Sequence, residues 1–583
     1  DTRIQWRADQ ILPPPRDKSN RGASTIKPES IGVFHTPLTS LLAFVPLKLF
    51  KSMVYFSNVY AADSMKKQGR PSIAGSHWKG DITLQEMMLF FGILIKMVLR
   101  PTPGQSYTTC WKNEAWHPYT ARMGCRRFQQ IRSVLHVNDN ADMAQSNDSL
   151  FKVRPLLNCL KLTFPSYINV GDEVALDEAS ISCRSKFGGF SIFFNPMKPG
   201  GKFHFRFYLL CCSTTFACIR IRMHTRDMAD AADGFVSPAN RKHDYKISNT
   251  TTAGPKTTGL SDSDYDDEAN EDKQDDDEAK YEAEEETKQE SNEVQSKLVA
   301  LVLDMCSSIY NSGRVVNMDN YYTSPEVAVA LASKKVFIRG TCRANRAGFP
   351  AAVQYSKAEA SKVKRGTMKM VSDRRHGLVC YGWIDGNPVH FLTSADGTVV
   401  NEVTRRVGRQ ANQVPAPICV KRYNAGMQAV DRHDQLRQTF ALADRHGFKK
   451  YYIKMLLGLI DMALVNAYIH YKMVNEEVCK KNTARYDFLE TLANTMMDTD
   501  WTTFMDSASG KSNDSIFQAL LAQDEEGGGT ARRPRGTEHN EDKDDDEEKD
   551  VSMTACVPRS VSECMTSRNQ RKGFSCQVCR YEA

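Results

Sequence analysis

Two periods of apolar spacing divide the chain. From Thr83 the spacing is helical. Thr83-Leu-Gln-Glu86 is a capping box, and Leu84, Met87, Met88, Phe91, Leu94, Ile95 and Val98 form one stripe. Residues 126–137 and 150–164 continue as helices. The period then shortens to that of strands. Residues 173–182 read as a buried strand, with Val174, Leu176 and Ile181 apolar and Asp177-Glu178 in its middle. Residues 202–209 alternate strictly, setting Phe203, Phe205, Phe207 and Leu209 on one face and Lys202 and Arg206 on the other. Residues 219–223 alternate too, with Arg220 and Arg222 on the polar side. A basic strand face of this kind suits either solvent or phosphate.

Leu298–Leu303 predicts a helix, and the apolar strand after it ends on Asp319. Ser324 is a fitting N-cap, Pro325 suits the first helical position and Glu326 the first turn, so 326–333 is predicted helical. Phe337-Ile338 opens a strand, and 378–383 and 388–392 read as short strands. Met427, Val430, Leu436 and Phe440 mark a helix on which Asp431 and Asp434 share a face at i, i+3. An apolar helix from Met455 to Tyr471 follows.

Charge changes the picture next. The chain of 583 residues carries +7, but residues 262–290 hold −13 and residues 541–550 hold −6, leaving +26 on the rest. So basic a body suits a polyanion. The Ser-, Thr-, Gly- and acid-rich run over 226–296 buries no apolar area and is expected to be disordered, a solvated spacer or an internal DNA mimic competing for the basic surface. Residues 1–35 lack any period and read as a disordered arm. The 16 cysteines are scattered, as in a reducing compartment. The longest apolar runs, Met87–Leu99 and Met455–Val465, are too short to span a membrane.

The candidate chemistry lies in the acids. An Asp inside an apolar strand is costly unless its charge is compensated. One such acid alone is commonly a capping or ion-paired residue. Three of them, Asp177, Asp319 and Asp431, each in an apolar element, suit hard divalent cations, which take oxygen ligands. Two ions about 3.5–4 Å apart can stabilise both oxygens of an in-line phosphoryl displacement.

The residues around these acids resemble the piggyBac transposase family. Asp177-Glu178 with Arg184, then Asn195-Pro-Met-Lys198-Pro199 and Lys202, is similar to that family's first catalytic block. Met318-Asp319-Asn-Tyr-Tyr-Thr-Ser324 resembles the second, followed by Gly340-Thr-Cys-Arg343-Ala-Asn-Arg346, and Tyr423-Asn424 with Val430-Asp431-Arg-His-Asp434-Gln435 resembles the third. The resemblance runs from about Trp78 to Tyr471. It implies an α/β protein with an RNase H-like core, and cut-and-paste transposition by metal-assisted strand cleavage and attack of the freed 3′-hydroxyl. Asp177, Asp319 and Asp431 would hold two Mg²⁺, with Asp434 assisting. The implied partners are double-stranded DNA and a second copy of the chain, with no membrane, in the nucleus. Arg184, Lys198, Lys202, Arg343, Lys449, Lys450 and Tyr451 would contact DNA, the last by base stacking. The family commonly has a Trp near Tyr451.

The implied organisation is a disordered arm over 1–35 and a helical dimerisation and DNA-binding region over 36–172. Core segments follow over 173–225, 297–335 and 421–475, interrupted by the acidic insertion at 226–296 and a β-rich insertion at 336–420. A linker with an acidic tract over 476–555 leads to a Cys-rich module over 556–583. Departures from the family pattern are Gln428-Ala429, where a Gly pair is usual, and Ser182-Cys183-Arg184, in place of an aromatic-Arg-Gly run. Cys576 and Cys579 look like the opening knuckle of a zinc module. A structural zinc site needs four ligands, so Zn²⁺ is expected only where the module is complete. Two rival readings follow. The first is a domesticated or decayed transposase-derived DNA-binding protein without transposition activity. The second is a carboxylate-pair hydrolase acting on sugars, which the basic excess disfavours.

Overall fold

The structure is a computed structural model, and it describes residues 4–8, 22–138, 148–196, 201–225, 288–407, 410–479, 483–507, 510–513, 515–516 and 518–519. Lys198, Cys576, Cys579 and all of the acidic insertion before Lys288 lie outside them. The N-terminal region begins earlier than its pattern suggests. Strand β1 (Thr25–Ile26) pairs with β4 (Ile168–Asn169), and Phe34 is buried against the rings of Phe44, Tyr167 and His470 at 5.0–6.0 Å. Residues 22–35 therefore belong to the folded body, because one aromatic anchor and a two-residue ladder tie them down, and within the arm expected over 1–35 Arg7 also exchanges two backbone bonds with Ser372 at 2.8 Å. Helices α1 (Pro37–Phe44), α2 (Leu47–Gln68), α3 (Leu84–Leu99), α4 (Cys125–Val134) and α5 (Arg154–Ser166) follow, with a small β2–β3 hairpin (Ser72–Ile73, Ser76–His77) between α2 and α3. The capping box of α3 forms as expected: Glu86 N–H donates to Thr83 Oγ1 at 3.2 Å, and Thr83 N–H to Glu86 Oε2 at 3.1 Å.

The central sheet is built on β5 (Glu173–Ser182), β6 (Ile192–Phe194), β7 (Phe203–Cys212), β8 (Cys218–Met223), β9 (Val315–Met318) and β10 (Phe337–Thr341). The order β8-β7-β5-β9-β10 has two antiparallel ladders and then two parallel ones, with β6 beside β8 on the same edge of β7. That is the RNase H-like arrangement. Strands β11 (Met368–Asp373), β12 (Leu378–Asp385) and β13 (Asn387–Thr393) extend the sheet, since β13 pairs antiparallel with β10. The core segment expected to end at 335 thus runs through Thr341, and the β-rich insertion is fused edge-on to the central sheet. Its remaining strands, β14 (Val400–Val407) and β15 (Gln410–Pro417), form a separate hairpin.

Helices cover both faces. α6 (Lys288–Cys306) starts inside the span expected to be disordered and precedes β9; α7 (Pro325–Ala332) follows Asp319, with Ser324 Oγ accepting from Val327 N–H at 3.1 Å. After the short α8 (Lys357–Ala360) come α9 (Ile418–Gly426), α10 (Ala429–Thr439), α11 (Leu442–Arg445) and α12 (Tyr451–Cys479). Side chains alternate across a strand, so registered partners share a face. Arg220 and Arg222 fall on the face of Tyr208 and Leu210, where α6 lies, and both pair with Asp304 at 2.5 and 3.0 Å. The polar side of this strand meets an acid of α6 rather than solvent or phosphate.

α12 is longer than the run that predicted it and is apolar enough to cross a membrane by composition, but its apolar window is 94% buried in the fold. It is fastened by polar groups: Asn466 exchanges both of its amide bonds with the backbone of Cys218 at 2.7 and 2.9 Å, and Asp461 accepts from Leu442 and Ala443 N–H at the start of α11. Two further helices, α13 (Arg485–Asp498) and α14 (Trp501–Asp506), occupy part of the expected linker. Phe488, Leu489, Leu492, Ala493, Met496 and Met497 make a buried helical stripe on α13 that packs on α3. Gly92 allows the approach, since a Cβ there would sit 2.6 Å from Met497 Cγ. Lys96 and Glu490 pair across the contact at 2.5 Å.

Candidate active site

Sheet register builds the site. β5 and β9 run parallel with Leu176 beside Met318, so the next residues, Asp177 and Asp319, stand side by side on the same face. Asp319 is the first residue past β9, and its Oδ1 accepts from Tyr321 N–H at 2.8 Å, which turns the chain toward α7. Asp431 lies in the first turn of α10, which packs on β5 over this same face. Burial is the main force raising the Asp177 carboxyl to about 8; Glu178, Asp319 and Asp431 add to it, against the Glu178 N–H it accepts at 2.8 Å. Burial also raises Asp319, opposed by backbone donors and by Arg343 and Arg346.

All three groups are hard oxygen donors, and the mutual repulsion at Asp177 is what a divalent cation would relieve. The donor set therefore fits such an ion. Among the described residues no three acid, His or Cys side chains are gathered tightly enough to enclose one as they stand. Asp434 has another engagement. Its Oδ1 accepts from Arg437 Nε at 2.8 Å and its Oδ2 from Gln438 at 2.6 Å, while Arg437, fully buried, also donates to Ser180 O of β5 at 2.7 Å. Asp434 thus helps bolt α10 to β5.

A buried ion network beneath the acids was not visible in the pattern. Arg339 of β10 donates to Asp396 at 2.6 and 3.2 Å, to Glu173 at 2.8 Å and to Asn317 Oδ1 at 2.9 Å. Arg422 of α9 donates to Asp396 at 2.6 Å. Burial would raise the Asp396 carboxyl, but the bonds from Arg339 and Arg422 outweigh it and hold it below the ordinary range. Glu173 lies four residues before Asp177 on its face, and Asn317 lies two before Asp319. Gly426 completes the fit, since a Cβ there would meet Asn317 Nδ2 at 2.5 Å and Glu173 Oε2 at 3.0 Å. The signal in the sequence is Arg339 itself, a lone cation in the apolar run Val336–Gly340.

The expected DNA contacts divide. Arg184, Lys202 and Lys449 are exposed, as is Arg343, which donates to Asn320 Oδ1 at 3.3 Å beside Asp319. Lys450 is engaged inside the protein: it donates to Ser133 O at 3.0 Å and lies 5.0 Å from the Tyr60 ring. Tyr451 is half-buried, edge-on to Phe190 at 5.5 Å. These two residues join α12 to its neighbours, so the lysine–aromatic pattern reported helix packing as much as a nucleic-acid surface.

With this geometry in view, comparison with known proteins gives a consistent answer. No curated protein matches the chain. Among solved structures, the fold is similar to a cryo-EM structure of piggyBac transposase in a synaptic complex with hairpin DNA. The TM-score is 0.60 at 16% identity, over 86% of this chain and 88% of that one. A family model described as "Transposase IS4" matches residues 36–243 and 279–468, its one gap falling within the acidic insertion. That match covers more than half of the sequence and takes in all three acids, so the chain belongs to the IS4 transposase family.

Proposed function

We propose that this DNA transposase works by cut-and-paste in the piggyBac manner, with Asp177, Asp319 and Asp431 holding two Mg²⁺ ions. When bound, such ions supply Lewis-acid stabilisation to the attacking and leaving oxygens of a phosphodiester. The chain's own residues set the geometry. The β5–β9 register fixes two carboxylates on one face, and Arg437 holds the helix of the third against β5. Exposed Arg184, Lys202 and Lys449 suit backbone phosphates. The reading extends to a pair of copies acting on two DNA ends in the nucleus, and sedimentation of the purified protein checks the pairing.

The observation that carries this reading is the placement of Asp177 beside Asp319 with Asp431 over them, in a body of strongly positive charge. The test is Asp319→Asn. The variant is expected to lose Mg²⁺-dependent nicking by a factor of ~10³ or more while keeping its fold and DNA affinity, because shape is retained and one metal-compensating charge is gone. Full nicking by the variant would remove Asp319 from the chemistry.

A further inference from the structure

The sheet face that carries Asp177 leads to an aromatic edge left open by the fold. β6 and β7 pair with Phe194 opposite Phe203, ring centroids 4.8 Å apart, and the two rings are 40% and 42% exposed. Phe187, in the turn that precedes β6, is 74% exposed. Alternation along β5 puts Asp177, Ala179 and Ile181 on one side, and Cys183, next in that alternation, donates its N–H to Phe203 O at 3.0 Å. Phe203 therefore continues the catalytic face six residues on, roughly 20 Å from Asp177 at about 3.3 Å per residue. Arg184 and Lys202, one residue from Cys183 and Phe203 respectively, are exposed, and the chain has no Asp or Glu between Glu178 and Asp227.

Resting on the transposase reading above, we propose that the Phe194–Phe203 pair is a stacking platform for unpaired bases of the DNA being processed, with Arg184 and Lys202 holding the adjoining phosphates. Phenylalanine has no donor or acceptor, so it reads no base edge and binds no phosphate. An exposed ring among cations gains most from the flat face of a base. Bases inside a duplex already stack on both faces, so the platform selects unpaired ones. A second copy of the chain is a poor occupant, because a two-fold self-contact would press the Arg184 and Lys202 cations toward their own copies. At about 3.4 Å per nucleotide, the platform meets bases roughly six positions from the acids.

The test is DNA binding in chelator, where no chemistry intervenes. Blunt duplex is compared with duplex bearing a single-stranded extension that carries 2-aminopurine at successive positions. The proteins are the wild type, Phe194→Ala/Phe203→Ala and Phe194→Trp/Phe203→Trp. The wild type is expected to quench 2-aminopurine most strongly near the sixth position. The alanine pair is expected to lose the quenching and ~5–100-fold in affinity for extended DNA. Its affinity for blunt duplex should be unchanged, and the tryptophan pair should restore binding to the extension. Equal losses on both DNAs, or none on either, overturn the platform. So does an alanine pair that merely changes from dimer to monomer in sedimentation. A wild type that binds neither DNA overturns the transposase reading itself, which separates the two failures.

Discussion

At the scale of single residues, Asp177 decides most. Its carboxyl is raised from 3.8 to about 8 by burial and by neighbouring acids, so folding takes up a proton there between about pH 4 and pH 8. The folded state binds more protons than the unfolded one in that window, and the stability of the metal-free protein should fall as pH rises through it. Asp177→Asn carries no titrating charge, so its melting temperature in chelator should exceed that of the wild type by a few degrees at pH 8 and converge with it toward pH 4. Melting curves at several pH values check this; parallel pH profiles would show that the carboxyl is already charged. A divalent ion competes with the same proton, so its affinity should climb with pH up to about 8. Asp177 stood out in the sequence because an Asp in an apolar strand contradicts its surroundings. The partners of Asp434 were not legible for the converse reason: Arg437 and Gln438 sit one helical turn away and look like ordinary surface charge.

At the scale of elements, the Arg339 network joins the parts that carry the three acids. It links β5 through Glu173, β9 through Asn317, the end of β13 through Asp396, and α9, which leads into α10, through Arg422. Arg339 and Asp396 are both fully buried, whereas the Arg422 side chain is 44% exposed. Removing the central cation strands two partly or wholly buried carboxylates, so Arg339→Met should cost about 3–5 kcal/mol. Arg422→Gln, at the screened rim, should cost about 1 kcal/mol or less. Denaturant midpoints of the two variants check the ranking, and equal losses would mean that the network has no centre at Arg339. The elements missed in the sequence have two physical causes. α1 is buried almost throughout, so it shows no polar face and no period. α13 does carry a helical stripe, but it follows an apparent linker, and its partner α3 lies some four hundred residues earlier.

At the scale of the whole molecule, charge is divided along the chain rather than mixed. The chain outside its two acidic tracts carries +26, whereas the internal tract that interrupts the family match carries −13. A tethered polyanion competes with phosphate for the same cations. Deleting residues 261–290 should therefore raise non-specific DNA affinity and steepen its fall with salt, because more counterions are then released on binding. A salt titration of binding to random duplex checks this, and superimposable curves would leave the tract as a spacer alone.

The sequence by itself determined which residues alternate, which recur at helical spacing, where three acids interrupt apolar elements, and how charge is apportioned. These are local properties, set by neighbours a few positions apart, so no fold is needed to read them. Only the tertiary structure decided that Leu176 lies beside Met318, and so that Asp177 adjoins Asp319 across more than a hundred residues of chain. It also decided that β10 belongs to the central sheet, and that Arg220 and Arg222 meet Asp304 instead of phosphate. Lys450 and Tyr451 likewise turned out to face Ser133 and Phe190. In each case the deciding partner is distant in sequence. A cation or an aromatic ring carries no mark of whether such a partner or a ligand will satisfy it.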